Sequence, residues 1–164
     1  GEDPLTVHNR FAAHETIHRY WFNYDEGHLD VCEQLLAEDC HLSSRTELGT
    51  HPHEEFIRSE SHGRDTAMAW TREHRKTSPY PLRHHAANIH VVAERDDEID
   101  LESYLFVTQI IDRRPSALSS GLVHFTLRQT PDGYLIRRKD VVLDSIESAP
   151  MKDVEFVNDR QKTW

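Results

Sequence analysis

The sequence predicts an α+β fold within one domain. Two observations predict it: apolar residues recur at helical spacing through the first half, and they alternate at strand spacing through the second. A third bounds it, since 164 residues support one packed core and not comfortably two. No internal repeat or low-complexity tract interrupts the pattern. A strongly curved sheet of this kind, with helices against its concave face, would enclose a pocket.

The elements follow in order. From Thr6 to Asp25, Val7, Phe11, Ile17, Tyr20, Trp21 and Tyr24 keep helical spacing, and Gly27 stands where a helix has just ended. A second helix is expected from Leu29 to Ala37, with Leu29, Cys32, Leu35 and Leu36 on one face. Cys40–Thr46 reads as a short strand. Gly49–Gly63 contains Pro52, two glycines and several histidines, and reads as a loop with a helical turn. Arg64–Lys76 is a third helix carrying Ala67, Met68, Trp70 and Thr71, broken by the sequence TSPYP at 77–81. Strands are expected at Arg83–Glu94, Ile99–Ile111, Gly121–Gln129 and Tyr134–Asp144, forming an antiparallel meander. Between them lie a polar turn at 95–98, a polar loop at 112–120, and the hairpin signal Thr130-Pro131-Asp132-Gly133. In the second of these strands Ile99, Leu101, Leu105, Val107 and Ile111 share one face, and Tyr104, Phe106 and Ile110 the other. That pattern predicts a strand covered on both faces. The domain is expected to span residues 1–148, with 149–164 a charged, partly disordered tail.

Composition narrows the function classes. Nineteen Lys and Arg against 29 Asp and Glu leave a formal charge of −10. That balance argues against a nucleic-acid partner or a membrane surface, both of which need a basic face. No run of 18 apolar residues exists to span a bilayer, and the first residues show no secretory signal. Cys32 and Cys40 have no CxxC spacing and read as small buried hydrophobes in a reduced, cytoplasmic setting.

The unusual count is 13 histidines. His14-Glu15-Thr16-Ile17-His18 is an HExxH, which on a helix puts two imidazoles on one face, as zinc peptidases do. In a chain this rich in His and Glu the match is close to chance, and no further Gly-x-x-His follows, so a pair flanking the core stripe is the favoured reading. His51, His53, Glu54, Glu55 and His62 form a second cluster whose spacing matches no tetrahedral site, favouring a solvated loop. The third constellation carries more chemistry. Tyr20 and Tyr24 are helical neighbours, and Asp25 ends the helix where the dipole disfavours an unpartnered anion. Arg83-His84-His85-Ala86-Ala87-Asn88 opens the first long strand. A carboxylate facing a histidine would fix its tautomer and raise its basicity, and phenols beside it could hold a carbonyl oxygen. Spacing alone leaves the plainer reading open, with the aromatics in the core and Asp25 and His84 structural.

Three segments, residues 17–39 (IHRYWFNYDEGHLDVCEQLLAED), 83–91 (RHHAANIHV) and 132–144 (DGYLIRRKDVVLD), resemble a known family. They are similar to SnoaL-like members of the nuclear-transport-factor-2-like superfamily, especially the scytalone dehydratase and bile-acid dehydratase type. The resemblance covers residues 10–145. It implies a cone-shaped, curved antiparallel sheet closed by N-terminal helices, a cystatin-like α+β barrel with an apolar pocket. It also implies an Asp–His dyad that works without metal or cofactor. By position Asp25 and His84 match the dyad, Tyr20 and Tyr24 match substrate-binding tyrosines, and Asn88 matches the asparagine of RHxxxN, read as more structural than catalytic. His85 should face the other side of the strand. In Gly121–Arg128, Val123 and Phe125 stand where many members carry polar residues, which puts a second catalytic histidine in doubt despite His124 nearby.

The implied function is a dehydratase, isomerase or cyclase-like enzyme on a small cyclic or polyketide-like carbonyl compound, forming a homo-oligomer, dimer or trimer. The alternative is a non-catalytic β-subunit of a ring-hydroxylating dioxygenase, which residues 127–144 also resemble. A Rieske α-subunit would then be the partner. A zinc hydrolase through His14 and His18 is a third, weaker reading.

Overall fold

The computed structural model describes residues 4–154, with side chains from residue 6. The first helical pattern forms α1, Pro4–Asp25, and its apolar stripe is buried from Ala13 onward, while Val7 and Phe11 are exposed. The helix closes in a Schellman arrangement: Gly27 takes φ 77°, its N–H reaches Tyr24 O at 3.1 Å, and His28 N–H reaches Asn23 O at 2.8 Å. That closure sets Asp25 in the last helical turn. A short helix α2, Leu29–Gln34, leads into β1, Leu36–Thr46. The second helix is thus shorter than its spacing predicts, because Leu36 already pairs with Ile136 as a strand residue.

The segment 49–63, expected as a loop, holds α3 (Glu54–Ile57) and β2 (Ser59–His62). The strand was not legible because SESH is wholly polar; it forms by pairing antiparallel with β1. Then come α4 (Arg64–Thr77), β3 (Leu82–Glu94), β4 (Glu98–Ile111), β5 (Arg114–Thr130) and β6 (Gly133–Leu143). The expected polar loop at 112–120 is a two-residue hairpin instead. Asp112 and Arg113 both have positive φ, 50° and 64°, and residues from Arg114 pair directly with β4. Small and polar residues hide this strand from a hydrophobic pattern, whereas the backbone of β4 supplies its ladder. Residues 149–154 carry a single 3-10 turn, and the rest of the expected tail lies outside the described residues.

The six strands form one curved, unclosed sheet in the order β2-β1-β6-β5-β4-β3. Every neighbouring pair is antiparallel, as expected, except β1 and β6, which run parallel. A parallel pair needs a long crossover, and everything from α3 to β5 provides it. The helices pack on the concave face. Ile17, Tyr20 and Trp21 of α1 meet Leu101, Leu105, Val123, Phe125 and Ile136 in one core. The convex face of β4 differs from expectation: Tyr104, Phe106 and Ile110 are exposed, at 56%, 44% and 47%. The strand is covered on one face only in the single chain. No helix among the described residues is long and apolar enough to cross a membrane.

Candidate active site

β3 is the last strand of the sheet, so its outer backbone groups face no further strand. α1 lies against β3 and meets that need: the Asp25 carboxylate accepts the His84 backbone N–H at 2.7 Å with one oxygen. Its other oxygen accepts the His84 Nδ1–H at 2.5 Å. The carboxylate is buried, and these two bonds explain how an anion persists at a helix C-terminus. The imidazole lies flat on Trp21, with ring centroids 4.5 Å apart and an interplanar angle of 2°. Nδ1 is therefore the protonated nitrogen, and Nε2, which has no partner among the described residues, carries the lone pair. Burial lowers the His84 pKa from its ordinary value, and the Asp25 hydrogen bond only partly opposes it. The ring is neutral at pH 7 and able to take a proton.

His84 lines a cavity of about 450 Å³ between the helices and the concave sheet. Leu105, Val107, Val141, Trp70 and Phe56 contribute apolar wall. Asp25 is not part of this lining; it holds the imidazole through Nδ1 and, with His84, borders a separate pocket beside Phe22 and Arg83. Tyr24 lines the cavity, but its hydroxyl is committed: it donates to His74 Nδ1 at 2.8 Å. His74 accepts because burial and the nearby Lys139 cation push its pKa down to about 4. Tyr20 is fully buried, and burial raises its pKa well above the ordinary value. Its hydroxyl makes no well-formed hydrogen bond among the described residues, although Thr71, whose own proton goes to Ala67 O at 2.7 Å, stands beside it.

Arg75, buried on α4, fixes the end of α1 from below. Its Nε donates to Tyr24 O at 3.0 Å and its Nη2 to Asp25 O at 2.8 Å, while Nη1 reaches Ser78 Oγ and Pro79 O. The guanidinium thus satisfies carbonyls that the helix end leaves open and ties them to the start of β3.

The remaining histidines sort by position. His85 faces away from the cavity and bonds Thr108 Oγ1 at 2.9 Å. His124 lies on the convex face beside Asp100 and Glu102, across the sheet from the cavity, while Val123 and Phe125 fill the core. Asn88 does not join the site. It is exposed at a β-bulge with φ 53°, a left-handed conformation that asparagine tolerates, and it is not among the cavity-lining residues. In the HExxH, the ring nitrogens of His14 lie 2.7 Å from Arg10 O and 3.3 Å from Ile89 O, so they are occupied by backbone. The second cluster divides: His51 and His53 line the cavity, whereas His62 stacks on His41 near Glu60 at the sheet edge. Ligand atoms of His41, Glu60 and His62 lie within 4.8 Å of one another on an exposed surface.

Lys139, a residue that sequence reasoning missed, also lines the cavity. It is 8% exposed, with its ammonium 4.9 Å from the centre of Tyr20 and 4.8 Å from that of Trp21. Burial pulls its pKa down to about 8. The signal was available: on β6, Lys139 shares a face with Val141 and Leu143, so a lysine stands at an inward position. His74 had a similar signal, one turn beyond Trp70 on α4.

Comparison with known proteins places the chain. The SnoaL-like domain family matches residues 6–140. No curated protein sequence matches. Among solved structures, an NTF2-like protein with a cystatin-like fold from Novosphingobium aromaticivorans superposes with a TM-score of 0.67 at 20% identity, covering 87% of this chain and 92% of that one. A protein from the same organism assigned as a scytalone dehydratase gives 0.69 at 17% identity, with 92% and 97% covered. The β-subunit of the benzoate 1,2-dioxygenase from Burkholderia mallei gives 0.61 at 14% identity, with 80% and 87% covered. At these identities the likeness is one of fold.

Proposed function

The chain belongs to the SnoaL-like domain family, and from that premise we propose that it is a cofactor-independent dehydratase or isomerase of a small cyclic or polyketide-like carbonyl compound. The observation that carries the reading is the Asp25–His84 pair, with the imidazole on the wall of a largely apolar cavity of about 450 Å³. That volume suits a compound of one to three rings. His84 Nε2 removes a proton α to the carbonyl. Asp25 holds the tautomer through Nδ1 and stabilises the imidazolium that forms. The electrons move onto the carbonyl oxygen, giving an enolate, and Tyr20, directly or through water, is the phenol nearest that role, Tyr24 having given its proton to His74. Collapse of the enolate expels a β-hydroxyl, which leaves as water with the proton returned from His84. In the absence of a leaving group, reprotonation elsewhere shifts a double bond. No step is routed through a metal or cofactor.

The test uses 3-hydroxycyclohexanone and aryl-fused β-hydroxyketones as probes, following enone absorbance and α-deuterium uptake in D₂O. Wild type should dehydrate or exchange at least one of them, and His84→Gln and Asp25→Asn should not. No exchange above that of His84→Gln with any probe would sink the reading. The similarity to a dioxygenase β-subunit supports a second one, a structural subunit that co-purifies with a Rieske α-subunit. The exposed apolar patch of Tyr104, Phe106 and Ile110 supports self-association, which sedimentation of the isolated chain would detect.

A further inference from the structure

The cavity holds more unspent hydrogen-bond donors than its walls require. The Tyr20 hydroxyl and Trp21 Nε1 are buried without a well-formed hydrogen bond among the described residues. Lys139 is the larger anomaly, a buried cation with no carboxylate in reach among the described residues. The groups facing it from each element are neutral or already engaged. From α1 come the rings of Tyr20 and Trp21. From α2, the thiol of Cys32 is pushed up to about 12 by burial, so it carries no charge. Cys40 of β1 is likewise raised by burial. From α4, His74 is neutral and Arg75 is a second cation, spent on the α1 carbonyls. From β3, His84 is neutral and turned to Asp25. On β6 itself, Asp140 points to the opposite face, where Ser43 and Arg138 hold it. Two aromatic faces soften the burial of the ammonium but leave its N–H donors free.

An unpaired buried charge is costly, and this one stands on the wall of the same cavity as His84. We propose that Lys139 is a catalytic residue that binds the anionic oxygen of an enolisable substrate, so that the cavity selects carbonyl compounds reacting through an enolate or phenolate-like anion. The inference rests on the dyad reading and extends it. His84 draws the proton, and the charge that this creates on oxygen is received by the ammonium of Lys139. Tyr20, whose hydroxyl is unspent, is the neighbouring donor. Tyr24 is displaced from this role, because its proton already serves His74. A ground-state ketone gains little from such a group and the enolate gains much, which is the difference that accelerates a reaction. The ligand class follows: a ketone flanked by an acidic C–H, or a phenol that mimics its enolate.

The two parts are separable by experiment. 4-Nitrophenol serves as an enolate mimic whose ionised form is visible by its colour. Wild type should bind it as the phenolate, lowering its apparent pKa, and His84→Gln should do the same, because that variant keeps the ammonium. Lys139→Met should bind it at least tenfold more weakly and in the neutral form, and Lys139→Arg should restore phenolate binding. With a turned-over β-hydroxyketone, Lys139→Met should lower kcat/KM about 100- to 1,000-fold while the His84 signal in the NMR spectrum remains unchanged. Phenolate binding by Lys139→Met equal to that of wild type would overturn the proposal, even if the dyad reading stands. So would a borohydride-stable adduct of 3-hydroxycyclohexanone on Lys139, which would make the lysine an amine nucleophile. If instead His84→Gln retains full turnover, the dyad reading fails, and phenolate binding still decides the role of Lys139.

Discussion

Replacing Lys139 by methionine should make the protein more stable at neutral pH. The side chains are similar in length and volume, so the perturbation removes a charge and leaves the packing. Burial moves the lysine from an ordinary 10.5 to about 8, a gap that corresponds to about 3 kcal/mol of unfavourable charge burial at pH 7. For a chain of this size each kcal/mol is worth about 2–4 °C, so the melting temperature should rise by about 6–12 °C. The sign against pH follows from proton counts. Between pH 8 and 10.5 the unfolded chain keeps the lysine proton and the folded chain has lost it, so raising the pH stabilises wild type. Lys139→Met has no such term, and its advantage should shrink across that window and vanish above it. Urea unfolding followed by tryptophan fluorescence at pH 7, 8, 9 and 10 measures the difference between the two proteins. An advantage absent at pH 7, or constant from pH 7 to 10, would refute the account of Lys139 as a buried, unpaired cation.

Four further outcomes follow from the site. The pH profile of kcat/KM should be a bell, with an acid limb below 6.5 from His84 and an alkaline limb near 8 from Lys139; Lys139→Arg should move the alkaline limb upward, and an unmoved limb would assign it elsewhere. Asp25→Asn should cost about 10²–10⁴ in kcat and shift the acid limb lower, because the carboxylate is what raises the His84 pKa against burial; a shift to higher pH contradicts the pairing. Arg75→Met should lose about 3–5 kcal/mol, since Tyr24 O, Asp25 O and the 78–79 turn lose their donor together. Calorimetry would show it, and a loss below 1 kcal/mol would mean water replaces the guanidinium. Asn88→Gly should change stability by no more than about 1 kcal/mol and leave turnover intact, because the residue supplies a left-handed bulge and no cavity contact.

What was legible in the sequence divides by the kind of signal. α1, α4 and the inner face of β4 announce themselves because burial selects apolar side chains at a fixed period, which Leu101, Leu105 and Val107 carry with Ser103 as its one interruption. β2 and the first half of β5 do not, because backbone pairing holds them and their side chains stay polar or small. The parallel pairing of β1 with β6 lies beyond any local pattern, being a choice between sheet edges made late in the chain. Within the site, Asp25 and His84 were found through family order, since 59 positions separate them and no spacing rule links such a pair. Tyr20 and Tyr24 were found by spacing but could not be told apart, because the difference between them is His74, a partner on another helix. Lys139 was readable in principle, as a charge at an inward strand position, yet alternation is judged on apolar residues and a lone lysine reads as an interruption.

The division between held and open groups gives the cavity its functional meaning. Asp25, Tyr24, His74 and Arg75 are all polar or charged and buried or partly so, and each is bonded to another part of the fold. They hold the end of α1 against β3 and α4, and a fold needs such groups satisfied. His84 Nε2, the Tyr20 hydroxyl and the Lys139 ammonium are also enclosed, and none of them is hydrogen-bonded to another part of the fold among the described residues. Their unmet bonds lower stability, and packing alone would replace them with apolar side chains. On the proposed reading one is a base and the others are donors, matched to a proton leaving carbon while negative charge gathers on oxygen. A purely structural subunit has no need of that complement, and the stability gain expected from Lys139→Met measures how much the chain gives up to keep part of it.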